Sequence, residues 1–257
     1  IYTCAQLDKV REYPDKSFLQ IRNLDLNGYV SSNCDSTNGW LPIGCSNTQI
    51  FSGVYDGGGK TISNLKISRE GLTECGLFGS VDSVDGSIPE IRNLTLANCN
   101  INIGGVENSA SCLAGAFYNG NMTNCHLLSS VLNTEAICVG GLIGDTWGTH
   151  VTSCSVDLEI TGDDTCGGLI GYCENCEINE CHAKINLNCG VQAGGLIGYF
   201  SNSSVQSSSV SGEVYGGMNT GGFVAYMADN ATVTDSSAKV NVYSEDDSVS
   251  GFVGVLE

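Results

Sequence analysis

Cysteine is the residue type in this chain with the widest chemical range, because thiols bind metals and form disulfide bonds. The sequence contains 14 cysteines among 257 residues. Four of them are spaced closely enough to suggest a zinc site, namely Cys173, Cys176, Cys181 and Cys189. However, Cys181 occupies an inward strand position, whereas Cys173 and Cys176 follow a strand in a loop, so the four sulfurs would converge only with distortion. We therefore expect disulfide bonds, which form in oxidising extracellular compartments.

Other residues that could act in catalysis lack the required neighbours. Residues 56–61 read DGGGKT and resemble a phosphate-binding loop, but Val54 occupies the position of the required first glycine and a strand follows. A glycine-rich turn between two strands explains this segment better. The three histidines are His126, His150 and His182, and no recurring pattern places a serine or cysteine beside a histidine and a carboxylate. The sequence therefore predicts no catalytic, cofactor-binding or metal-binding residues, and a protein that is not an enzyme.

Acidic residues dominate the charged side chains. The chain has 28 Asp and Glu against 10 Lys and Arg, a formal charge of -18, which repels nucleic acids and anionic membrane surfaces. It contains no run of 18 apolar residues, so we expect no membrane insertion. Because Ile1 is not an initiator Met and no basic, apolar leader precedes it, we expect a mature chain whose signal peptide has been removed. The even, high number of cysteines predicts an extracellular or cell-surface location.

Four Asn-x-Ser/Thr sequons are candidates for N-glycosylation. They are centred on Asn93, Asn121, Asn202 and Asn230. A chain rich in Asn, Ser and Thr contains such sequons by chance, so whether any of them is used stays open.

A short motif of glycine and apolar residues repeats along the chain and indicates which elements position these side chains. Its seven copies are centred on Gly76, Gly115, Gly141, Gly168, Gly195, Gly222 and Gly251, and the last five follow their predecessors by 26, 27, 27, 27 and 29 residues. A nearly constant period of this size is typical of repeat proteins. Between the copies, apolar residues occupy every second position, as at Cys154, Val156 and Leu158. This alternation predicts β-strands.

Short strands in a fixed repeat predict an all-β fold, a parallel β-helix or β-solenoid whose coils stack on a shared core. We expect about nine coils, with roughly 27 residues per coil in the C-terminal half. Residues 1–257 would form a single domain, with irregular coils over 1–75 and regular ones over 76–257. Glycine pairs would allow sharp corners with positive φ. One inward column would contain Leu24, Leu65, Leu94, Cys125, Cys154, Cys181, Ser208 and Ser236.

The ordered series of motifs resembles the GLUG-motif surface proteins. The chain carries IRNLDL at 21–26, WLPIG at 40–44, FSGVYDGGGKTISNLKI at 51–67, GLFG at 76–79 and IRNLTL at 91–96, and GGLIG copies follow. The resemblance covers nearly the whole chain. It implies a right-handed parallel β-helix, a cell-surface or secreted location and an adhesive or structural role, and it brings no catalytic residues. The high cysteine content departs from this family.

Stacked coils would bring cysteines of neighbouring turns together. Residues in register on adjacent coils lie about 4.8 Å apart, within the Cα separation of a disulfide bond. Cys154 could therefore pair with Cys125 or with Cys181. Cys112, Cys138 and Cys166 form a second set, each just before a glycine corner. Cys34 could pair with Cys45, and Cys173 and Cys176 are further candidates. The connectivity stays open.

These features predict a non-enzymatic extracellular structural or adhesive protein, a surface rod or fibre subunit. Its copies would stack head to tail through the C-terminal coil, and surface glycans or proteins are the other expected partners. The alternative is a carbohydrate-binding or polysaccharide-cleaving β-helix. Cleavage would need carboxylates clustered with Arg or Lys, and arginine occurs only at positions 11, 22, 69 and 92. Glycan binding would need exposed aromatics, and Tyr172, Tyr199 and Tyr226 recur after the glycine motifs, although stacked tyrosines more often brace a corner.

Overall fold

The computed structural model describes residues 1–29, 38–45, 50–104, 108–244 and 248–257. These residues form one α-helix, α1 (Cys4–Asp8), a 3-10 helix (Lys9–Glu12) and 29 strands. The Thr3 side chain caps α1 by accepting a hydrogen bond from the backbone N–H of Gln6. Within the described ranges, neither helix has the length and apolar character that a bilayer-spanning helix needs.

The strands are short and follow one another in a repeating order. The first eleven are β1 (Ser17–Leu19), β2 (Leu24–Asp25), β3 (Val54–Ser63), β4 (Lys66–Ile67), β5 (Glu74–Cys75), β6 (Phe78–Val81), β7 (Glu90–Ala97), β8 (Asn100–Ile103), β9 (Ser109–Ala110), β10 (Ala114–Tyr118) and β11 (Asn121–Thr134). The next ten are β12 (Cys138–Gly140), β13 (Ile143–Trp147), β14 (His150–Thr152), β15 (Ser155–Gly162), β16 (Thr165–Gly167), β17 (Ile170–Glu174), β18 (Glu177–Asn179), β19 (His182–Cys189), β20 (Gln192–Gly194) and β21 (Ile197–Ser201). The last eight are β22 (Ser204–Gln206), β23 (Ser209–Gly216), β24 (Asn219–Gly221), β25 (Val224–Ala228), β26 (Thr232–Thr234), β27 (Ser237–Ser244), β28 (Val249–Ser250) and β29 (Val253–Leu256).

The strands pair in parallel across successive coils and form three sheets. A long sheet contains 15 strands, including β11, β15, β19, β23 and β27 in that order. One short sheet runs from β6 through β10, β13, β17, β21 and β25 to β29, and the other runs from β5 through β9, β12, β16, β20 and β24 to β28. Ile143 pairs with Ile170, and Ile170 pairs with Ile197. Equivalent residues therefore stack coil upon coil, which confirms the predicted all-β parallel β-solenoid.

The number of coils is smaller than the nine that we expected. Each short sheet contains seven strands, so six turns separate the first coil from the last. Before β5, the described strands β1 to β4 join only the long sheet, and both short sheets begin with β5 and β6. Ile43 and Phe51 pair with Phe78 and Val81 of β6 only as isolated parallel bridges. The described N-terminal segments that we counted as coils therefore lie against the first coil without forming strands in both short sheets.

The predicted core column is correct from Leu94 onward but wrong at its start. Cys125 pairs with Leu94, and the coils carrying Cys154 and Cys181 follow in the same register. Leu24 instead pairs with Ile62, which belongs to the neighbouring inward column with Leu96. Lys66 pairs with Asn100, so the preceding residue, Leu65, is in register with Cys99 and not with Leu94. Bulges in β3 and β11 break the constant spacing on which the prediction relied.

The glycine pairs form a column, but our reason for them was wrong. The backbones of Gly141, Gly168, Gly195, Gly222 and Gly251 stack on one another, and none of these residues has positive φ. A Cβ atom on Gly141 would lie 2.4 Å from the carbonyl oxygen of Gly168, and one on Gly168 would lie 2.2 Å from that of Gly195. Glycine is therefore required because adjacent backbones approach too closely for a side chain.

One glycine of the predicted series belongs to a different column. Ala114 pairs with Phe78 on one side and with Ile143 on the other. Gly115 is therefore equivalent to Gly79 and Gly144, the second glycine of the motif, and Cys112 takes the place of the first glycine. Ala114 and Ile143 are equivalent residues of two successive coils. The number of residues between these coils is therefore larger than the number that we counted from Gly115 to Gly141.

With the exception of Gly148, polar residues form the left-handed corners of two columns, where we expected glycine. The first corner column contains Asn119, Gly148, Asn175, Asn202 and Asp229, and the second contains Asn93, Asn124, Ser153, Glu180, Ser207 and Asp235, all with positive φ. These columns flank the three-residue strands β14, β18, β22 and β26. Asn and Asp tolerate this conformation better than most residues. Hydrogen bonds link some members between coils, as from Asn124 Nδ2 to Asn93 Oδ1 at 3.0 Å.

Candidate functional site

The structure contains one disulfide bond among the described residues, between Cys166 and Cys189. Cys166 lies inward on β16, and Cys189 ends β19 of the same coil. The bond therefore joins the beginning and the end of a single coil, with a sequence separation of 23 between its ends. Sequence spacing places Cys189 in a possible zinc cluster and Cys166 with Cys112 and Cys138 ahead of the glycine corners. It does not reveal the corner that brings Cys166 and Cys189 together.

Cys125, Cys154 and Cys181 lie on one buried column, as predicted. The backbone N–H of Cys125 contacts Cys154 Sγ at 3.5 Å, and all three side chains are thiols in this structure. Burial and contact with the Cys125 thiol raise the pKa of Cys154 above its ordinary value. A disulfide bond between Cys154 and either neighbour stays a prediction.

The other cysteine candidates have different surroundings. Cys112 is fully buried, whereas the half-buried Cys138 pairs in register with Ser109 and Thr165, so the two occupy different columns. A hydrogen bond with Cys99, together with burial, raises the pKa of Cys112. Cys99 is therefore the neighbour that the spacing of the cysteines did not reveal. Cys45 is partly exposed, and its proposed partner Cys34 lies outside the described residues.

Our placement of Cys173 in a loop was wrong. Cys173 lies on β17 and points into the core, and Cys176 is buried at the following corner. The two thiols contact each other, and burial is the main cause of the raised pKa of Cys173. In the described part of the chain, no group of three or more His, Cys, Asp or Glu side chains is arranged to hold a metal ion.

The DGGGKT segment is a bulge within strand β3. The pairing of β3 with β7 shifts register between Asp56 and Lys60, and both Gly58 and Gly59 have positive φ. Asp56 accepts hydrogen bonds from the backbone N–H of Gly58 at 2.8 Å and from Arg92 Nε at 2.9 Å. The aspartate therefore organises the bulge and an ion pair with the next coil.

The four sequons differ in accessibility. Asn93 and Asn202 lie at left-handed corners, where their Nδ2 atoms donate to Asp56 Oδ1 and Asn175 Oδ1, so a glycan would compete with these hydrogen bonds. Asn121 is the partly buried first residue of β11, and Asn230 is exposed on the turn after β25. Asn202 and Asn230 are both exposed, and glycosylation of each sequon stays a prediction.

The three recurring tyrosines form a continuous stack on the outer face of one short sheet. The rings of Tyr172 and Tyr199 are 4.5 Å apart and nearly parallel, and those of Tyr199 and Tyr226 are 5.3 Å apart. Tyr199 therefore has both ring faces covered by its neighbours. Since a sugar packs against a ring face, the central ring of Tyr199 offers it no platform.

A partly buried acidic cluster adjoins the tyrosine stack. The hydroxyl of Tyr118 donates to Asp145 Oδ2 at 2.5 Å. Burial raises the pKa of Asp145, and burial together with the charge of Asp145 raises the pKa of Glu74. Burial and the nearby carboxylates of Asp145 and Asp164 raise the pKa of Cys138 to about 12. Cys138 is therefore a poor nucleophile near neutral pH.

The histidines make hydrogen bonds along the outer columns. His126 Nδ1 lies 2.8 Å from Ser155 Oγ, and its Nε2 lies 2.9 Å from Asn124 Oδ1. This order of groups is that of a nucleophilic triad, but an amide replaces the carboxylate that would stabilise a protonated imidazole. His182 repeats the contact with Ser209 at 2.9 Å. The same contact between a histidine and a serine of the next coil therefore occurs two coils later, as expected if stacking of the coils produces it.

A second tyrosine pair lies beside depressions in the long sheet, and the predictions from sequence did not include it. Tyr215 on β23 and Tyr243 on β27 are stacked with ring centroids 4.5 Å apart. A depression of about 380 Å³ is lined by both rings and by Asn188, Gly216 and other residues. The two tyrosines occupy equivalent positions on adjacent strands, so aligning the coils by strand would have revealed them.

No protein-family profile matches the chain. A segment of 134 residues, 51% of this chain, is 32% identical to halomucin of Haloquadratum walsbyi, and the match spans 1% of that protein. Among solved structures, an IgA1 protease superposes on 99% of this chain with a TM-score of 0.70 and 19% identity, over 20% of its own length. A Bacteroides ovatus protein described as a candidate immunoglobulin A1 protease superposes with a TM-score of 0.55 and 16% identity, over 83% of its length. At these identities, the two structures establish a shared β-helix fold.

Proposed function

We propose that this chain is a rigid, non-enzymatic scaffold of an extracellular or cell-surface protein, with a structural or adhesive role. The continuous core supports this proposal best. Each coil buries its inward residues only against neighbouring coils, so the stack behaves as one elongated body. Fully buried Phe117, Cys173 and Phe200 share one such inward column.

The surface location rests on two further observations. The Cys166–Cys189 bond is of a kind that persists in oxidising surroundings. The similarity to halomucin, although it spans 1% of that protein, supports a surface protein. Adhesion would use the regular outer columns, such as the one in which Lys184 pairs with Asp157 at 3.1 Å.

Surface protease treatment of intact source cells tests the location. We expect a tagged chain to be removed by protease added outside the cells, together with a known surface protein, while a cytosolic marker survives. A chain that is protected in intact cells and digested only after lysis would contradict the proposal.

The non-enzymatic role needs a separate test, because the two similar structures are described as IgA1 proteases. The purified chain would be incubated with immunoglobulin A1 and with neutral and acidic polysaccharides, and we expect no cleavage products. The Ser155→Ala variant is the control, since Ser155 contacts His126. Cleavage by the wild-type chain that this substitution abolishes would overturn the proposal.

A further inference from the structure

Three depressions adjoin one another on the outer face of the long sheet. The first, of about 500 Å³, is lined by residues that include Asp157 and Lys184. The middle one, of about 260 Å³, shares Glu159 with the first. The third, of about 380 Å³, shares Tyr215 with the middle one. Together they form a single trough that crosses strands β11 to β27, of a size suited to a ligand with several ring units.

Tyr215 presents one free ring face to the middle of this trough. Its other face is covered by Tyr243 of the following coil, at an interplanar angle of 11°. In the preceding coil the equivalent residue is Asn188, whose side chain is smaller than a tyrosine ring. Tyr215 and Asn188 both line the middle depression. This arrangement differs from that of Tyr199, whose two faces are covered by Tyr172 and Tyr226.

Gly217 adds no side chain to the floor beside the tyrosines, since a Cβ atom there would lie 1.9 Å from the carbonyl oxygen of Gly190. A Cβ atom on Gly216 would instead point into the core, 2.2 Å from the buried Thr220 Oγ1. The hydroxyl of Ser244 donates to the carbonyl oxygen of Gly217 at 2.7 Å and holds the edge of the floor. Backbone therefore forms this part of the floor, and the rings of Tyr215 and Tyr243 line the same depression.

Polar groups surround the free ring face. Asn186, Asn188 and Glu159 are exposed on adjacent strands, whose spacing is about 4.8 Å. The hydroxyl of Tyr215 donates to Glu213 Oε2 at 2.9 Å, which orients the ring. An aromatic face that meets amides and carboxylates suits a sugar ring, since such a ring has an apolar C–H face and hydroxyl groups at its edge.

The charge of the trough selects among glycans. Lys184 is paired with Asp157 at 3.1 Å, while Glu159 and Glu213 add carboxylates and the whole chain carries -18. Uronate or sulfate groups would be repelled. We propose that this trough binds a neutral glycan, with one pyranose ring packed on the free face of Tyr215 and hydroxyls bound by Asn186 and Asn188. The inference deepens the proposed adhesive role and rests on it.

An array of neutral and acidic oligosaccharides tests the inference, followed by calorimetric titration with the best binder. We expect neutral oligosaccharides to bind, and Tyr215→Ala to weaken the binding at least tenfold. Asn188→Leu should also weaken it, because the larger apolar side chain fills the space below the ring. The matched control is Tyr199→Ala, which removes a stacked tyrosine from the other face and should leave the affinity within twofold.

Melting curves of the three variants establish that each is folded before its affinity is compared. The inference is overturned if no neutral glycan on the array binds, if acidic glycans bind better than neutral ones, or if Tyr215→Ala and Tyr199→Ala weaken binding equally. These results are separate from the proposed scaffold role, because surface exposure in the protease experiment does not depend on glycan binding. A chain that is exposed on cells but binds no neutral glycan would fail this inference alone.

Discussion

Replacing Gly168 with alanine would place a methyl group 2.2 Å from the carbonyl oxygen of Gly195. Because the obstacle is backbone shared by stacked coils, the structure would have to open between them. We expect Gly168→Ala to lower the free energy of unfolding by at least about 2 kcal/mol. Chemical denaturation measures this change.

The matched control for this substitution is Gly251→Ala in the same glycine column. A Cβ atom there meets nothing within 4 Å, so the free energy of unfolding should change by no more than about 0.5 kcal/mol. Equal destabilisation by both substitutions would contradict close approach of the backbones as the reason for glycine.

Asp145 should make the protein more stable in mild acid. Burial raises its pKa in the folded state, so folding favours the protonated form and the folded state binds more protons than the unfolded one. Stability is then greatest below the ordinary carboxyl pKa of about 4 and falls as pH rises through the raised value. We expect the melting temperature of the wild type, relative to that of Asp145→Asn, to decrease as the pH rises from 4 to 7.

Glu159→Gln is the comparison for Asp145→Asn, since Glu159 is exposed on the outer face. Both substitutions remove one negative charge, so the general effect of net charge is the same. A pH dependence that changes equally in the two variants would show that burial of Asp145 has no part in it.

For individual residues, the sequence showed which residue types recur but not the structural reason for each. The glycine column was predicted, but an angular requirement was assumed where close contact is responsible. The left-handed corners were missed because Asn124, Ser153 and Glu180 share no residue type, although all three have positive φ. Only the register of the coils reveals that they are equivalent.

Among the elements, the coil closed by the Cys166–Cys189 bond allows a direct test of the cross-link. A disulfide that closes a loop of this length contributes about 3 kcal/mol by restricting the unfolded chain. The Cys166→Ser/Cys189→Ser variant should therefore be less stable by about that amount. Reductant should lower the melting temperature of the wild type and leave that of the variant nearly unchanged, and equal sensitivity would contradict the assignment.

The buried thiols on neighbouring strands allow a second test. Mass spectrometry of peptides prepared without reduction should find Cys166 linked to Cys189. Cys154 should be linked to at most one of Cys125 and Cys181. A link from Cys166 to any other cysteine would contradict the described corner.

The register of the strands could be predicted where the repeat is regular, and it could not be predicted where the repeat is irregular. From β12 to β25 the constant period of the sequence gives the register directly. Bulges in β3 and β11 change the spacing by inserting residues into one strand. The error at Leu24 lies before the bulge in β3, and those at Leu65 and Gly115 lie between the two bulges.

At the scale of the whole molecule, one repeating pattern was enough to predict the parallel β-solenoid. The coil count was too high because the chain before β5 contains the apolar motifs of a coil without forming strands in both short sheets. The trough beside Tyr215 could not be predicted, since it depends on residues of several coils that meet only through stacking. End-to-end association of copies stays a prediction, which sedimentation velocity over a range of concentrations would test.

Nuclear Overhauser effects between backbone protons test the stacked arrangement most directly. Parallel strands about 4.8 Å apart place protons of adjacent coils within range of this effect. We predict contacts at one constant sequence separation, linking Ile143 to Ile170 and Ile170 to Ile197. A set of contacts between residues close in sequence, as in antiparallel hairpins, with none between these isoleucines, would contradict the parallel solenoid.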